Sequence, residues 1–244
     1  MKSKKTLYTF FYLYLFVFIV ACNSQSDVNK YFPLQKGLSW EYKITTTYPE
    51  ETNTSFITIK TLGKKKIDGK SYNIRRTSSG IDYYINADEK GIYREGLRTK
   101  VEVKPRKDNA IRYVLKYPLE IGSAWNEISG PIIFGRLFPY KEALGDEYKF
   151  PLNYQIVSTS EIIEVDAGRY ENCIKVVGEG TFGIYTDAIN GYVDIPILVE
   201  EWYAPNVGLV KLTREEIFED TKPETKVSIF RGGKTVLELQ SFQG

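Results

Sequence analysis

The chain has 244 residues, of which 26% are charged, and its 33 lysines and arginines nearly balance 31 aspartates and glutamates. That balance excludes the strongly basic surface with which proteins bind nucleic acid. The chain has no histidine and only two cysteines, which excludes Ser-His-Asp and Cys-His nucleophilic schemes and zinc sites built on histidine and cysteine.

The N-terminus has the pattern of a bacterial lipoprotein signal peptide. Three lysines lie within the first five residues, and residues 7–21 form an apolar stretch. These 15 residues are fewer than the roughly 20 that a membrane-spanning helix needs. The stretch ends in Ile19, Val20, Ala21 and Cys22, which resemble the lipobox of bacterial lipoproteins. In that family the cysteine thiol is acylated and the peptide is cut before it.

This resemblance divides the N-terminus into a signal peptide, residues 1–21, and a polar tether, residues 22–30. It implies cleavage between Ala21 and Cys22, acylation of Cys22, and attachment to a membrane through that lipid. An ordinary cleaved signal followed by a chance cysteine is the alternative. Asn23 replaces the aspartate that retains some bacterial lipoproteins at the inner membrane, so the outer membrane of the bacterial cell envelope is preferred.

From Tyr31 onward, short runs rich in threonine, isoleucine and aromatic residues alternate with turn residues. EYKITTTY and SFITIKTL precede KKIDGKSYNIRR, where Asp68-Gly69 suits a two-residue type I′ hairpin turn. Later runs such as YQIVSTSEIIEV and VGLVKLTREEIF continue the pattern, and no long stretch after the signal keeps a helical period. Residues 31–244 are therefore predicted to form one all-β domain, a single antiparallel meander curled into a barrel, a half-barrel or a two-layer sandwich.

One phrase occurs twice in this domain. PLQKGLSW at residues 33–40 and PLEIGSAW at residues 118–125 share proline, leucine, glycine and tryptophan at identical offsets. Proline starts such a segment without needing a ladder donor, glycine permits a tight turn, and tryptophan opens the next strand. We expect Trp40 and Trp125 to be buried at strand starts, and the repetition suggests an internal duplication.

Two motifs resemble those of a group of uncharacterised bacterial lipoproteins and secreted proteins. The first, PL-x-x-G-x-x-W-x-Y, is carried here by Pro33, Leu34, Gly37, Trp40 and Tyr42. The second, W/Y-Y-A-P-x-V-G-x-V, is carried by WYAPNVGLV at residues 202–210. The resemblance implies an all-β domain of the cell envelope and brings no activity or catalytic residue with it.

Carboxylates are the remaining candidates for catalysis, because glycosidases need only a pair of them. The adjacent pairs Glu200-Glu201 and Glu215-Glu216 lie in predicted strands, so one member of each pair at most can face a cleft. Asp187 and Asp194 lie in a predicted loop without a defining spacing. No calcium-loop pattern occurs, so we predict neither a metal nor a cofactor.

Aromatic residues concentrate in two irregular stretches that are too apolar to be simply solvated. They include Phe134, Phe138 and Tyr140 in the first stretch and Tyr185 and Tyr192 in the second. These side chains either plug the mouth of the sheet or line a cavity. The predicted function is therefore a non-enzymatic, lipid-anchored envelope protein that binds a lipid, another apolar ligand or a glycan, or that scaffolds a partner protein. The alternative is a carboxylate-dependent hydrolase of envelope glycans.

Overall fold

The structure is a computed structural model that describes residues 30–145, 148–187, 191–222 and 227–244. The predicted signal peptide, the lipobox with Cys22, and the tether up to residue 29 lie outside the described residues. Within these ranges, no helix is both long enough and apolar enough to cross a membrane.

The described residues form twelve β-strands and a short helix. The strands are β1 (Ser39–Thr47), β2 (Thr52–Ile67), β3 (Lys70–Thr77), β4 (Asp82–Asp88), β5 (Gly91–Arg98), β6 (Arg106–Lys116), β7 (Ala124–Ser129), β8 (Phe150–Val165), β9 (Gly168–Asp187), β10 (Gly191–Ala204), β11 (Gly208–Lys222) and β12 (Val227–Gln243). The helix, α1, spans Tyr140–Leu144 in the connection between β7 and β8. The predicted all-β class is confirmed.

All twelve strands belong to one antiparallel sheet with the order β6-β5-β4-β3-β2-β1-β12-β11-β10-β9-β8-β7. Every neighbouring pair is consecutive in the chain except β1 and β12, which join the two halves of the meander. No ladder connects the edge strands β6 and β7 within the described residues, so the sheet is not closed into a barrel. The structure therefore selects an open, half-barrel-like meander from the predicted alternatives.

The sheet nevertheless curls, because residues from distant strands share one core cluster. Ile92 and Leu115, on β5 and β6, pack in the same cluster as Ile156, Ile174 and Tyr203, on β8 to β10. All five side chains are at most 3% exposed. The two ends of the sheet therefore approach each other across a common apolar interior, and β6 and β7 meet along an unpaired boundary that we call the seam.

The phrase PL-x-x-G-x-x-W marks the start of each six-stranded half. In the first half, the Gly37 N–H donates to the Thr61 carbonyl and the Thr61 N–H donates to the Leu38 carbonyl, both at 2.9 Å. Gly37 has φ 99°, a conformation that glycine adopts readily. The turn thereby ties the entrance of β1 to β2.

The second half repeats these bonds. The Gly122 N–H donates to the Ile156 carbonyl and the Ile156 N–H donates to the Ser123 carbonyl, again at 2.9 Å. Gly122 has φ 93°. The ladder between β2 and β3 shifts register just after Thr61, and the ladder between β8 and β9 shifts just after Ile156. These equivalences agree with an internal duplication, which stays a prediction.

The short strand β7 shows why this region combines core and polar residues. Its residues alternate between faces, as period-two geometry requires. Ala124, Asn126 and Ile128 are exposed, whereas Trp125, Glu127 and Ser129 are buried. A carboxylate therefore enters the interior beside a tryptophan two residues away.

The connection from β7 to β8 covers one end of the sheet and is held by a buried carboxylate. Glu216 is fully buried and accepts the backbone N–H groups of Ile132, Ile133 and Phe134 at 2.8, 2.9 and 3.1 Å. Arg214 donates to the same carboxylate at 2.7 Å. Because its charge and its acceptor capacity are both used, Glu216 is a structural residue.

Candidate functional site

A small cavity lies at the seam. Its volume is about 190 Å³, and we call it the seam cavity. Residues from both edge strands and from the interior strands line it. They include Arg112 on β6, Trp125 and Glu127 on β7, Tyr154 on β8, and Glu201 and Tyr203 on β10.

Glu127 places the first carboxylate in the seam cavity. It accepts the backbone N–H of Tyr113 on the opposite edge strand. The Arg112 Nε lies 3.6 Å from its other oxygen. Burial raises the pKa of the Glu127 carboxyl to about 7, although the Tyr113 N–H and the Arg112 charge oppose that rise. Glu127 thus bridges the seam where backbone pairing is missing.

Glu201 places the second carboxylate in the seam cavity. The Tyr203 hydroxyl donates to its Oε2 at 2.6 Å. Burial raises the pKa of the Glu201 carboxyl to about 7, and the Tyr203 hydrogen bond only partly offsets that effect. Among the described residues, no lysine or arginine forms an ion pair with Glu201. A carboxylate in this position costs stability, and such groups are concentrated at functional sites.

Two stacked aromatic rings form one wall of the seam cavity. The rings of Trp125 and Tyr154 have centroids 5.7 Å apart and planes inclined by 11°. Gly178 on β9 makes room for this stack, because a Cβ at Gly178 would lie 2.5 Å from the Tyr154 ring. Trp125 is 5% exposed, and within the part of the chain that the structure describes its Nε1–H has no acceptor. A buried donor without a partner is unfavourable unless a ligand or water completes it.

The predicted separation of adjacent carboxylates is confirmed in both pairs. Glu201 lines the seam cavity, whereas Glu200 faces outward and pairs with the Lys175 Nζ at 2.7 Å. Glu216 is interior, whereas Glu215 pairs with the Lys234 Nζ at 2.6 Å. Glu200, Glu215 and Glu216 each form an ion pair away from the seam cavity. Of these four carboxylates, Glu201 alone contributes to the candidate site.

The aromatic residues proposed as ligand-lining fall into two groups. Phe134 and Tyr140 are 0% and 5% exposed and pack in the core cluster beneath the β7–β8 connection. Phe138, Tyr185 and Tyr192 are 79%, 50% and 81% exposed. None of the five lines the seam cavity. Their role as ligand contacts stays a prediction.

The predicted loop position of Asp187 and Asp194 is wrong, because both residues belong to long strands. Asp194 is an exposed residue of β10. Asp187 ends β9, and its side chain lies outside what the structure describes. Neither residue lines the seam cavity. The described side chains also contain no group of three or more histidine, cysteine, aspartate or glutamate residues that could hold a metal ion.

Glu127 is a residue of the candidate site that the sequence analysis did not predict. The available signal was the segment AWNEIS, in which Trp125 and Glu127 are two positions apart and so share a face of a strand. A buried tryptophan predicts that its face is the inner one. Glu127 was therefore predictable as an interior carboxylate, although its bond to Tyr113 was not.

A larger groove lies near the β3–β4 and β5–β6 turns. Its volume is about 630 Å³, and its lining includes Lys60, Arg76, Arg98 and Lys100. Asp82 pairs with Arg76 at 2.6 Å and with Arg98 at 2.7 Å, and the Arg76 hydrogen bond lowers the pKa of Asp82. These are stabilised ion pairs at a solvent-facing groove. The groove also includes Arg98, whose buried Nε has no partner among the described residues. The seam cavity differs because it contains two carboxylates whose pKa is raised by burial.

Comparisons with known proteins give two similar solved structures. No protein-family model matches the chain, and no curated protein matches its sequence. One structure is a candidate lipoprotein from Parabacteroides distasonis, 14% identical, with a TM-score of 0.44 over 87% of this chain and 98% of that chain. The other is a candidate exported protein with a YMCC-like fold from Bacteroides fragilis, 14% identical, with a TM-score of 0.37 over 86% and 97%. At this identity the likeness says nothing about the side chains of the seam cavity.

Proposed function

We propose that the chain is a lipid-anchored protein of the bacterial cell envelope whose β-domain binds one sugar unit in the seam cavity. The lipobox-like Ile19-Val20-Ala21-Cys22 and the polar tether support the anchor, and Asn23 favours the outer membrane. One observation carries the binding proposal. In a single cavity, an aromatic wall formed by Trp125 and Tyr154 accompanies two carboxylates whose pKa is raised by burial.

The lining of the seam cavity favours a sugar over an apolar ligand. Glu127 and Glu201 supply acceptors, Arg112 supplies donors, and the Trp125 ring supplies part of an aromatic wall. A sugar unit offers hydroxyl groups that both donate and accept. An acyl chain would bury these charged and polar groups without replacing their hydrogen bonds, which is costly. The polar lining therefore matches a polyhydroxylated ligand.

The size of the seam cavity favours a small ligand, because its volume is about 190 Å³. Cavities that enclose drug-sized ligands begin at about 300 Å³. One sugar ring, or the terminal unit of a longer glycan, matches the space inside this cavity.

Lys30, the first described residue, and the β7–β8 connection lie at opposite ends of the sheet. The Lys30 carbonyl accepts the Asn206 N–H at 2.5 Å, which places the start of the domain beside the β10–β11 turn. Successive connections of an antiparallel meander alternate between the two ends, so the β7–β8 connection lies at the other end. An anchor at Cys22 would therefore direct that connection, with the exposed Phe138, away from the membrane.

A carboxylate-dependent hydrolase is the second candidate function, because two carboxylates line one cavity. Binding is favoured because the roles in a glycosidase require environments that push the two pKa values apart. Here burial raises both to about 7. Glu127 is also engaged by Tyr113 and Arg112, which restricts its freedom as an acid or nucleophile.

Calorimetric titration of the full lipidated chain in detergent with glucosamine, N-acetylglucosamine and glucose tests the proposal. We expect one sugar per chain, and we expect Trp125→Phe to weaken binding about tenfold by shrinking the aromatic wall of the cavity. Trp202→Phe is the matched control, since the Trp202 Nε1–H also lacks a partner in the described ranges but Trp202 does not line the seam cavity. Absence of sugar binding would contradict the proposal. Release of reducing ends from envelope glycan would favour the hydrolase.

A further inference from the structure

We infer that the sugar unit bound in the seam cavity carries a protonated amine, and that Glu201 is the residue that binds the amine. The inference rests on the proposed sugar-binding function and names the chemical class of its ligand. Its basis is that Glu201, unlike other carboxylates of the domain, has no cationic partner among the described residues. A cationic ligand would supply that partner.

Three carboxylates at or near the seam have arginine partners in the protein. Glu127 has Arg112 at 3.6 Å, and Asp108 has Arg94 at 2.6 Å. At the covered end of the sheet, Glu216 has Arg214 at 2.7 Å. Each of these negative charges is therefore compensated before any ligand binds.

Glu201 breaks this pattern. Its described partner is the neutral Tyr203 hydroxyl, which donates to Oε2. No described residue donates a hydrogen bond to the Glu201 Oε1, and Glu201 is partly exposed where it lines the seam cavity. The nearest strand neighbours do not compensate it either, because Lys175 pairs with Glu200 on the other face of β10. An ammonium group in the cavity would supply both the missing charge and the missing donor.

The ring of Trp125 adds a second feature to the site. It lines the same cavity as Glu201 and is stacked on Tyr154. A ligand that contacts both Glu201 and this aromatic wall must present a cation and an apolar ring face within a volume of about 190 Å³. An amino sugar has an ammonium group and a ring face within that size, whereas a neutral sugar leaves Glu201 uncompensated.

Calorimetric titration at pH 7 with four probes tests the inference on the full lipidated chain in detergent. The probes are glucosamine, its acetylated neutral form N-acetylglucosamine, glucose, and ethanolamine, which has the amine without the ring. We expect glucosamine to bind at least tenfold more tightly than each of the others. Glu201→Gln should reduce the preference for glucosamine over glucose to about one. The control Glu200→Gln, which removes the outward-facing neighbour, should keep the preference.

Each other outcome overturns a defined part of the hypothesis. Equal binding of glucose and glucosamine by the wild-type chain overturns the amine inference and leaves sugar binding intact. Binding of none of the three sugars overturns the proposed function. If ethanolamine binds as tightly as glucosamine, the assignment of a sugar ligand is overturned and only an ammonium-binding site remains. A preference that persists in Glu201→Gln overturns the assignment to Glu201. The wild-type comparison among probes decides the amine inference even where the variant fails to fold.

Discussion

Trp40 and Trp125 occupy the same position in the two halves of the sheet, but their indole N–H groups differ in their partners. Each is the second residue of a strand that follows PL-x-x-G-x-x-W, on β1 and β7 respectively. The Trp40 Nε1–H donates to the Val207 carbonyl at 2.7 Å. The Trp125 Nε1–H has no acceptor in the described part of the chain. Trp40 therefore packs and hydrogen-bonds in the core, whereas Trp125 lines the seam cavity.

Replacing each tryptophan by phenylalanine should separate these roles. We expect Trp40→Phe to lower the free energy of unfolding by about 2–4 kcal/mol, because it shrinks a buried ring and leaves the Val207 carbonyl unpaired. Trp125→Phe should lower it by about 1–2 kcal/mol, because only ring volume is lost. Urea unfolding followed by circular dichroism measures both. Equal losses would show that the Trp125 indole N–H has a structural partner.

Glu216→Gln should destabilise the domain by about 3–5 kcal/mol, because it leaves the buried Arg214 charge uncompensated and turns an amide NH₂ toward backbone donors. Cleavage by trypsin after the exposed Arg136 should also accelerate, since Glu216 holds the N–H groups of the β7–β8 connection. The control is Glu215→Gln, whose ion pair with Lys234 is partly exposed and contributes at most about 1 kcal/mol. If both variants unfold at the same urea concentration, the structural role assigned to Glu216 is wrong.

Glu201 should make the domain less stable as the pH rises. Burial raises the pKa of Glu201 from 4.5 to about 7, so the folded state binds the proton more tightly than the unfolded state does. The stabilisation from protonation is fully present below about pH 4.5 and is lost as the pH rises through about 7. The wild-type free energy of unfolding should therefore fall relative to that of Glu201→Gln by about 1–3 kcal/mol between pH 4.5 and pH 8.

Urea unfolding of both proteins at several pH values measures this difference. The surrounding groups are Tyr203 and Tyr154, whose phenols stay neutral in this range, together with Glu127 and Arg112. Glu127 titrates over the same range in both proteins, so comparison with Glu201→Gln isolates Glu201. Glu200→Gln should follow the wild-type pH dependence. A constant difference between wild type and Glu201→Gln would contradict the raised pKa.

Gly178→Ala should disturb the seam cavity through Tyr154. The added Cβ would lie 2.5 Å from the Tyr154 ring, so the ring must shift and its stacking on Trp125 is disturbed. We expect a loss of about 1–3 kcal/mol of stability, a shift in tryptophan fluorescence and weaker sugar binding. Gly183→Ala on the same strand is the control, because its Cβ would meet only the Asp194 Oδ1 at 3.5 Å. Unchanged fluorescence in Gly178→Ala would show that the stack does not depend on this glycine.

Cys22→Ala tests the anchor. The lipobox resemblance predicts that this substitution removes the acylation site, so the precursor stays uncut and takes up no labelled fatty acid. Wild-type chain expressed in the same bacterial cells should be labelled and processed. Equal labelling of the two proteins would contradict the lipoprotein assignment.

Local sequence patterns were sufficient to predict the class of fold and the strand face on which several side chains lie. Short alternating runs and turn residues such as Asp68-Gly69 predict strands, because strand geometry depends on neighbours in the sequence. The same period of two separates Glu200 from Glu201. It could also have placed Glu127 inside, beside Trp125. The lipobox is likewise a local pattern, and its test remains biochemical.

The open seam and its cavity depend on contacts between residues far apart in the chain. Local alternation cannot tell that β1 pairs with β12 whereas β6 and β7 stay unpaired, because that choice depends on the curvature of the whole sheet. Trp40 and Trp125 share one sequence phrase, yet only Trp40 meets a carbonyl 167 residues away. The raised pKa of Glu201 likewise results from burial by several strands. Sequence spacing sets the face on which a side chain lies, and tertiary packing sets its partners and its solvation.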